Sequence, residues 1–167
     1  ELNKSLTSGV KKKKIVFSGV GKTNQEIEFS IRKGIKQINV ESVEELEEIN
    51  LLCKKLKTKI DICLRVNPDV NAETHEKITT GRSEDKFGIA SDQIEEIFEN
   101  FKNNKFINII GLSIHIGSQI ELIDPFKKAF KKIRKQIINL RKKGYEISSI
   151  DLGGGIGIKY GSNNKLI

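Results

Sequence analysis

Short apolar runs alternate along the chain with longer stretches of helical periodicity. Ile15-Val16-Phe17 reads as a strand, followed by a helix over 24–33 that Gly34 stops. Residues 37–41 form the next strand. Ser42 then caps a helix, with Glu45 three residues on completing a capping box. Val43, Leu46, Ile49, Cys53 and Leu56 recur at helical spacing along it. A third strand over 59–66 ends in the turn Asn67-Pro68-Asp69. About thirty polar, irregular residues follow, more than a plain connection needs, and such length marks a working loop. Ser91 caps a helix whose stripe is Ile94, Ile97, Phe98 and Phe101, and a fourth strand over 107–116 ends in Gly117. Asp124-Pro125 supplies the cap and the N1 proline of the next helix, which turns Phe126, Phe130, Ile133, Ile137 and Leu140 to one face. Gly144 stops it, and 147–152 is the fifth strand.

Strand and helix in repeated alternation imply a parallel sheet built by right-handed crossovers. Side-chain parity separates an open doubly wound sheet from a barrel. In the fourth strand Leu112, Ile114 and Ile116 share one face, and Ser113, His115 and Gly117 the other. The third strand sets Ile60, Ile62 and Leu64 against Asp61, Cys63 and Arg65. The second sets Ile38 and Val40 against Asn39 and Glu41, and the fifth sets Ile150 and Leu152 against Ser149, Asp151 and Gly153. A sheet covered by helices on both sides should be apolar on both faces. One polar face suits a barrel lumen. The expected fold is an incomplete TIM-type (β/α) barrel with about five parallel strands present, too few to close a barrel of eight.

Composition narrows the classes. The 167 residues suit one domain, and 37% hydrophobic content suffices for its core. No apolar run approaches the roughly 20 residues of a membrane-spanning helix, so no membrane partner is expected. Methionine is absent and the chain starts at Glu1, so the reading is a processed chain or, preferably, an excerpt of a longer product. The net charge of +8 invites nucleic acid, but 25 of the 30 basic residues are lysine and neither tyrosine lies among them in a stacking pattern. No nucleic-acid partner is expected. Lys11 to Lys14 read as a solvated turn. Cys53 and Cys63 lack metal or redox spacing and read as reduced packing residues of a cytoplasmic protein. No metal site is expected.

The polar residues that stand out lie near the carboxyl ends of the strands: Ser18 and Lys22, Glu41, Arg65 and Asn67, His115 and Ser118, then Gly153-Gly154-Gly155. In a barrel those ends surround one mouth, where catalytic groups sit. Two familiar motifs fail. Gly21-Lys22-Thr23 would close a Walker A loop only with glycine at position 16, which is Val16. The glycine run misses GxGxxG, its sixth position being Ile158. Three consecutive glycines after a strand could serve a tight turn, but they also open backbone amides to a phosphate. His115 could be structural, yet on the lumen side its flat imidazole could stack on a planar cofactor. Arg65 is a permanent cation in the lumen and needs a partner, for which Asp61 and Asp151 share its parity. His75 reads as a solvated loop residue.

Several stretches together resemble a known family. They are Ile15-Val16-Phe17-Ser18-Gly19 with Gly21-Lys22-Thr23, then Asn39-Val40-Glu41-Ser42, then Leu64-Arg65-Val66-Asn67-Pro68-Asp69-Val70. Thr74-His75, Thr80-Gly81 and Lys86-Phe87-Gly88 follow, and the last are His115-Ile116-Gly117-Ser118-Gln119 and Asp151-Leu152-Gly153-Gly154-Gly155. In this order they resemble the fold-type III pyridoxal-phosphate-dependent decarboxylases, and the Arg-Val-Asn-Pro-Asp segment resembles the diaminopimelate branch. The resemblance implies an alanine-racemase-like barrel, pyridoxal 5′-phosphate as cofactor, and decarboxylation of meso-2,6-diaminopimelate to L-lysine by a homodimer. It implies that His115 is the catalytic residue stacked on the pyridine ring. Ser118, Gly153, Gly154 and Gly155 would hold the phosphate, and Arg65 would lie near the ring substituents. The family's Schiff-base lysine, its Glu-Pro-Gly-Arg segment and its carboxyl-terminal β-domain have no counterpart in 1–167. Lys22 matches a different family position, and Arg82 replaces an apolar residue. The expectation is therefore a partial barrel domain over 1–167, inactive alone. The alternatives are an ornithine or arginine decarboxylase of the same fold type, or a non-catalytic phosphate-binding remnant.

Overall fold

The computed structural model describes residues 1–70 and 87–158. The loop stretches with Thr74, His75, Thr80, Gly81, Arg82 and Lys86 lie outside the described residues. In chain order the elements are α1 (Leu2–Thr7), β1 (Val16–Phe17), α2 (Asn24–Lys33), β2 (Gln37–Val40), α3 (Val43–Leu56) and β3 (Ile60–Asn67). They continue with β4 (Ile89–Ala90), α4 (Ile94–Phe101), β5 (Ile107–Ser113), α5 (Ile123–Lys142) and β6 (Ser149–Asp151). Lys12–Lys14 forms a single exposed 3₁₀ turn before β1. The short β4 pairs with the end of β3, at Val66 and Asn67, beyond the reach of β5.

The strand order is β1-β2-β3-β5-β6, every pair parallel. A doubly wound sheet reverses its order at a switch point; a barrel adds each strand to the same edge. The order here never reverses. Curvature says the same. Gln37 and Asn39 on β2 reach Ser149 and Asp151 on β6 with hydrogen bonds of 2.9 Å and 2.7 Å. Those strands are separated by β3 and β5, roughly 14 Å of arc at ordinary strand spacing. Only a strongly curled sheet brings them together across its concave side, and the molecule is an open half-barrel.

The convex face is covered as parity requires. Ile38, Ile62, Leu64 and Leu112 are wholly buried under Ile27, Ile31, Leu46, Ile49, Ile94, Ile97, Ile133 and Leu140 of the helices. At β6 the rule runs out of cover. Ile150 and Leu152 are 50% and 44% exposed, because no helix follows β6 among the described residues.

Three helix starts differ from the sequence reading. The capping box sits at Thr23 and Glu26, not at Ser42. Ser42 does accept from the Glu45 amide, but the Glu45 carboxylate turns instead to Lys22 Nζ at 2.7 Å. The charge won over the reciprocal cap because the lysine ammonium is buried there. Gln93, not Ser91, precedes α4, since the Ser91 hydroxyl is taken by the Asn67 carbonyl at 3.2 Å. Helix α5 begins at Ile123, which puts Pro125 third in the helix. Its missing N–H would have no intrahelical partner in that first turn.

Candidate active site

Parallel register carries alternate side chains of neighbouring strands into rows across the concave face. Asn39 stands beside Cys63, Cys63 beside Gly111, and Gly111 beside Ser149. One step toward the carboxyl ends, Arg65 aligns with Ser113 and Ser113 with Asp151, while Glu41 follows directly on β2. A further step brings His115 and Gly153 to the rim. The lumen is thus polar in layers, and the charged layer lies at the mouth.

Arg65 is 7% exposed, so its charge needs a partner inside the protein. That partner is Glu41: Arg65 Nη1 donates to Glu41 Oε2 at 2.5 Å. This overturns the expectation of Asp61 or Asp151. Those carboxylates accept from Asn108 and Asn39, each at 2.7 Å. Register decides it, because Glu41 stands opposite Arg65, whereas Asp61 lies two rows down. Arg65 Nη2 donates to the His115 carbonyl at 3.3 Å, and the Phe87 ring lies 5.9 Å from the guanidinium. Glu41 Oε1 accepts from the Gly19 amide at 3.3 Å. Four chain segments are tied together through one carboxylate and one guanidinium.

His115 is half-buried at the rim. Burial lowers its pKa below the ordinary histidine value, and the Arg65 charge lowers it further against the opposing pull of Glu41 and Asp151. The imidazole is therefore neutral at pH 7. The Gly154 amide points at its Nδ1 from 3.5 Å. Gly153 and Gly155 have φ of +72° and +90°, and a Cβ on them would meet the Ile114 and Gly117 carbonyl oxygens at 2.2 Å and 1.9 Å. Those two glycines answer a backbone demand of the fold. Gly154 does not: a Cβ there would meet nothing within 4 Å. The Gly153 amide donates to Asp151 at 2.8 Å, so the glycine turn is locked from beneath. Exposed Ser118 borders the same turn, its Cα 3.4 Å from the Cβ position of Gly155. A planar ring with a phosphate fits these groups. The cradle is open at Gly154, edged by a hydroxyl, and flanked by a flat neutral ring and a buried cation.

The structure brings His115, Arg65, Ser118 and the three glycines to one rim. Lys22 is elsewhere engaged, its side chain 2% exposed and paired with Glu45, whose carboxyl is pushed up by burial against the pull of that lysine. Cys53 and Cys63 are free, buried thiols pushed up to about 11 by burial, as packing residues should be. Among the described residues no three His, Cys, Asp or Glu side chains converge as metal ligands. A cleft of about 620 Å³ lies outside the lumen, between α5 and the ends of β3 and β4. Its Lys132 and Gln136 are engaged with the carbonyls of Asp69 and Ser91, and Lys132 Nζ also stands 3.9 Å from the Asp69 carboxylate. The residues singled out in the sequence gather instead at the lumen mouth. Sequence reasoning placed Glu41 at that mouth but missed its pairing, which the continued alternation past Val40 could have shown. It named Phe87 only within the Lys86-Phe87-Gly88 stretch and missed its place beside Arg65, since no periodic signal surrounds that residue.

Comparison with known proteins shows the family and the fold. Residues 1–166 match the family model described as pyridoxal-dependent decarboxylase, pyridoxal binding domain. Diaminopimelate decarboxylases of Zymomonas mobilis and Pseudomonas aeruginosa are each 41% identical over 160 residues, 96% of this chain. The crystal structure of the Helicobacter pylori diaminopimelate decarboxylase complexed with L-lysine superposes with a TM-score of 0.92 at 37% identity, over 98% of this chain and 41% of that one. The arginine decarboxylase of Paramecium bursaria Chlorella virus shares the fold, with a TM-score of 0.75 at 24% identity over 93% of this chain and 39% of that one. The chain spans 38% and 39% of the length of the two curated bacterial relatives. With five parallel strands curled in sequence order and the model matched nearly end to end, the chain belongs to the pyridoxal-dependent decarboxylase family, as its pyridoxal-binding domain.

Proposed function

We propose that this chain forms the cofactor-binding half-barrel of an enzyme that decarboxylates meso-2,6-diaminopimelate to L-lysine. The observation that carries the reading is the convergence of Arg65, neutral His115 and the open Gly154 at one strand-end rim. When bound, pyridoxal 5′-phosphate supplies an electron sink for the pair left on carbon as carbon dioxide departs. His115 offers that ring a flat, uncharged face. Gly154 and Ser118 would hold the phosphate, the Gly154 amide turning to it from His115 Nδ1, and Gly153 and Gly155 would keep the turn in shape for it. Arg65, shielded from water and paired with Glu41, would lie near the ring substituents. Identities of 41% to the two diaminopimelate decarboxylases, over 96% of this chain, favour the diaminopimelate substrate. A homodimer working in the cytoplasm fits this reading. Among the described residues no helix is long and apolar enough to cross a membrane.

The test is lysine and carbon dioxide release by the full-length gene product with added cofactor, over diaminopimelate, ornithine and arginine. Diaminopimelate should be the preferred substrate. Preference for ornithine or arginine would move the protein to the alternative branch, and no release from any of the three would favour the phosphate-binding remnant. The 167-residue chain alone is expected to be inactive, for want of a cofactor-linking lysine at the rim among the described residues.

A further inference from the structure

Glu41 has no role of its own in the proposed reaction, yet it is 7% exposed and carries a charge into the lumen. Its two oxygens face in different directions. Oε1 accepts from the Gly19 amide at 3.3 Å, and Oε2 accepts from Arg65 Nη1 at 2.5 Å. The far side of the same guanidinium, Nη2, donates to the backbone carbonyl of His115 at 3.3 Å. A guanidinium is planar and its donors are fixed in one fork. Holding one nitrogen therefore aims the other. Helix α3 begins immediately behind Glu41, and its Ser42 cap keeps that backbone from turning. The chain of contacts runs from the loop after β1, through the ends of β2 and β3, to the residue that presents its ring at the rim.

We propose that Glu41 is a positioning residue, which clamps the Arg65 fork so that it fastens the His115 backbone and fixes the height of the imidazole above the glycine turn. The functional consequence rests on the cofactor reading above; the clamp itself does not. Without the carboxylate, Arg65 still carries its charge but loses its fixed aim, and its hydrogen bond to the His115 carbonyl loosens. The groups that face His115 from the packed elements are Glu41 on the β2 side, Arg65 on β3 and Asp151 on β6. Glu41→Gln removes one charge and alters the aim of a second, while Glu41→Asp keeps the charge.

The experiment is side-chain NMR on the full chain, free and titrated with pyridoxal 5′-phosphate, with inorganic phosphate as a separate arm. In the wild type the Arg65 Nη protons are expected as separate, slowly exchanging signals. Glu41→Gln should merge them, and Glu41→Asp should keep them separate. The cofactor's apparent Kd, read from the His115 ring signals, should rise about five-fold in Glu41→Gln, the worth of one ordinary hydrogen bond. In Glu41→Asp it should rise less than about two-fold, on the same scale. Arg65→Lys serves as a second variant should Glu41→Gln not fold. It keeps the charge but cannot fork, and it should shift the His115 carbonyl carbon and weaken the cofactor as Glu41→Gln does. The proposal is overturned if the Arg65 signals stay separate in Glu41→Gln, or if Arg65→Lys binds the cofactor as the wild type does. Wild-type His115 signals that answer to neither cofactor nor phosphate would sink the cofactor reading alone, and the Arg65 signals would still decide the clamp.

Discussion

The two faces of the same strands are buried to the same degree by different physics. On the convex face Ile38, Ile62, Leu64 and Leu112 are 0% exposed and pack against apolar helix residues. On the concave face Gln37, Asn39 and Ser113 are 1–2% exposed, but each sits among polar neighbours. Apolar burial is non-directional, so any side chain of similar volume satisfies it. Polar burial is pairwise, and removing one member leaves the other stranded. The convex face therefore records only that the chain folds, while the concave face records which atom answers which. This is why the site lies on the concave side.

That contrast breaks most visibly at Arg65. Arg65→Met should cost about 3–5 kcal/mol in urea denaturation, because it strands the Glu41 charge. The double variant Arg65→Met/Glu41→Leu should be more stable than Arg65→Met alone. A double variant no better than the single would show that the concave face, too, is governed by volume. Leu64→Ala, one residue away on the convex face, should cost about 2–5 kcal/mol through a cavity, and no second polar change should restore it. Proton linkage gives a smaller effect. The folded pKa of His115 lies below its unfolded value, so the folded state binds fewer protons in that window. Stability should fall as pH drops through about 6.5, and His115→Gln should flatten that part of the profile. The smallest effect belongs to Ser113. Its hydroxyl is buried with no hydrogen-bond partner among the described residues, so Ser113→Ala should change stability by less than about 1 kcal/mol, and stabilisation is the favoured direction.

Much of this was readable from residue order. Alternation at Asp61, Cys63 and Arg65 revealed a polar face, and the chain's βα rhythm revealed parallel strands. The glycine run, His115 and Arg65 were assigned to one mouth, and the structure brings them there. The glycine reading needed refinement, since two of the three are demanded by the carbonyls of Ile114 and Gly117 and only Gly154 opens outward. Two capping groups expected from the sequence had tertiary partners instead. Glu45 went to Lys22, and Ser91 went to Asn67. Capping propensity is local, and both competitors came from more than twenty residues away.

Periodicity by itself determined the strand and helix alternation, the apolar face and the polar face, because side-chain direction follows from backbone geometry at every second residue. Partner choice was decided only by the tertiary structure. Whether Arg65 met Asp61, Asp151 or Glu41 depended on the register of β2 against β3 and on the curl that draws β2 toward β6. Register and curvature are properties of the whole sheet, set by how all its strands pack at once, and no single stretch of residues contains them.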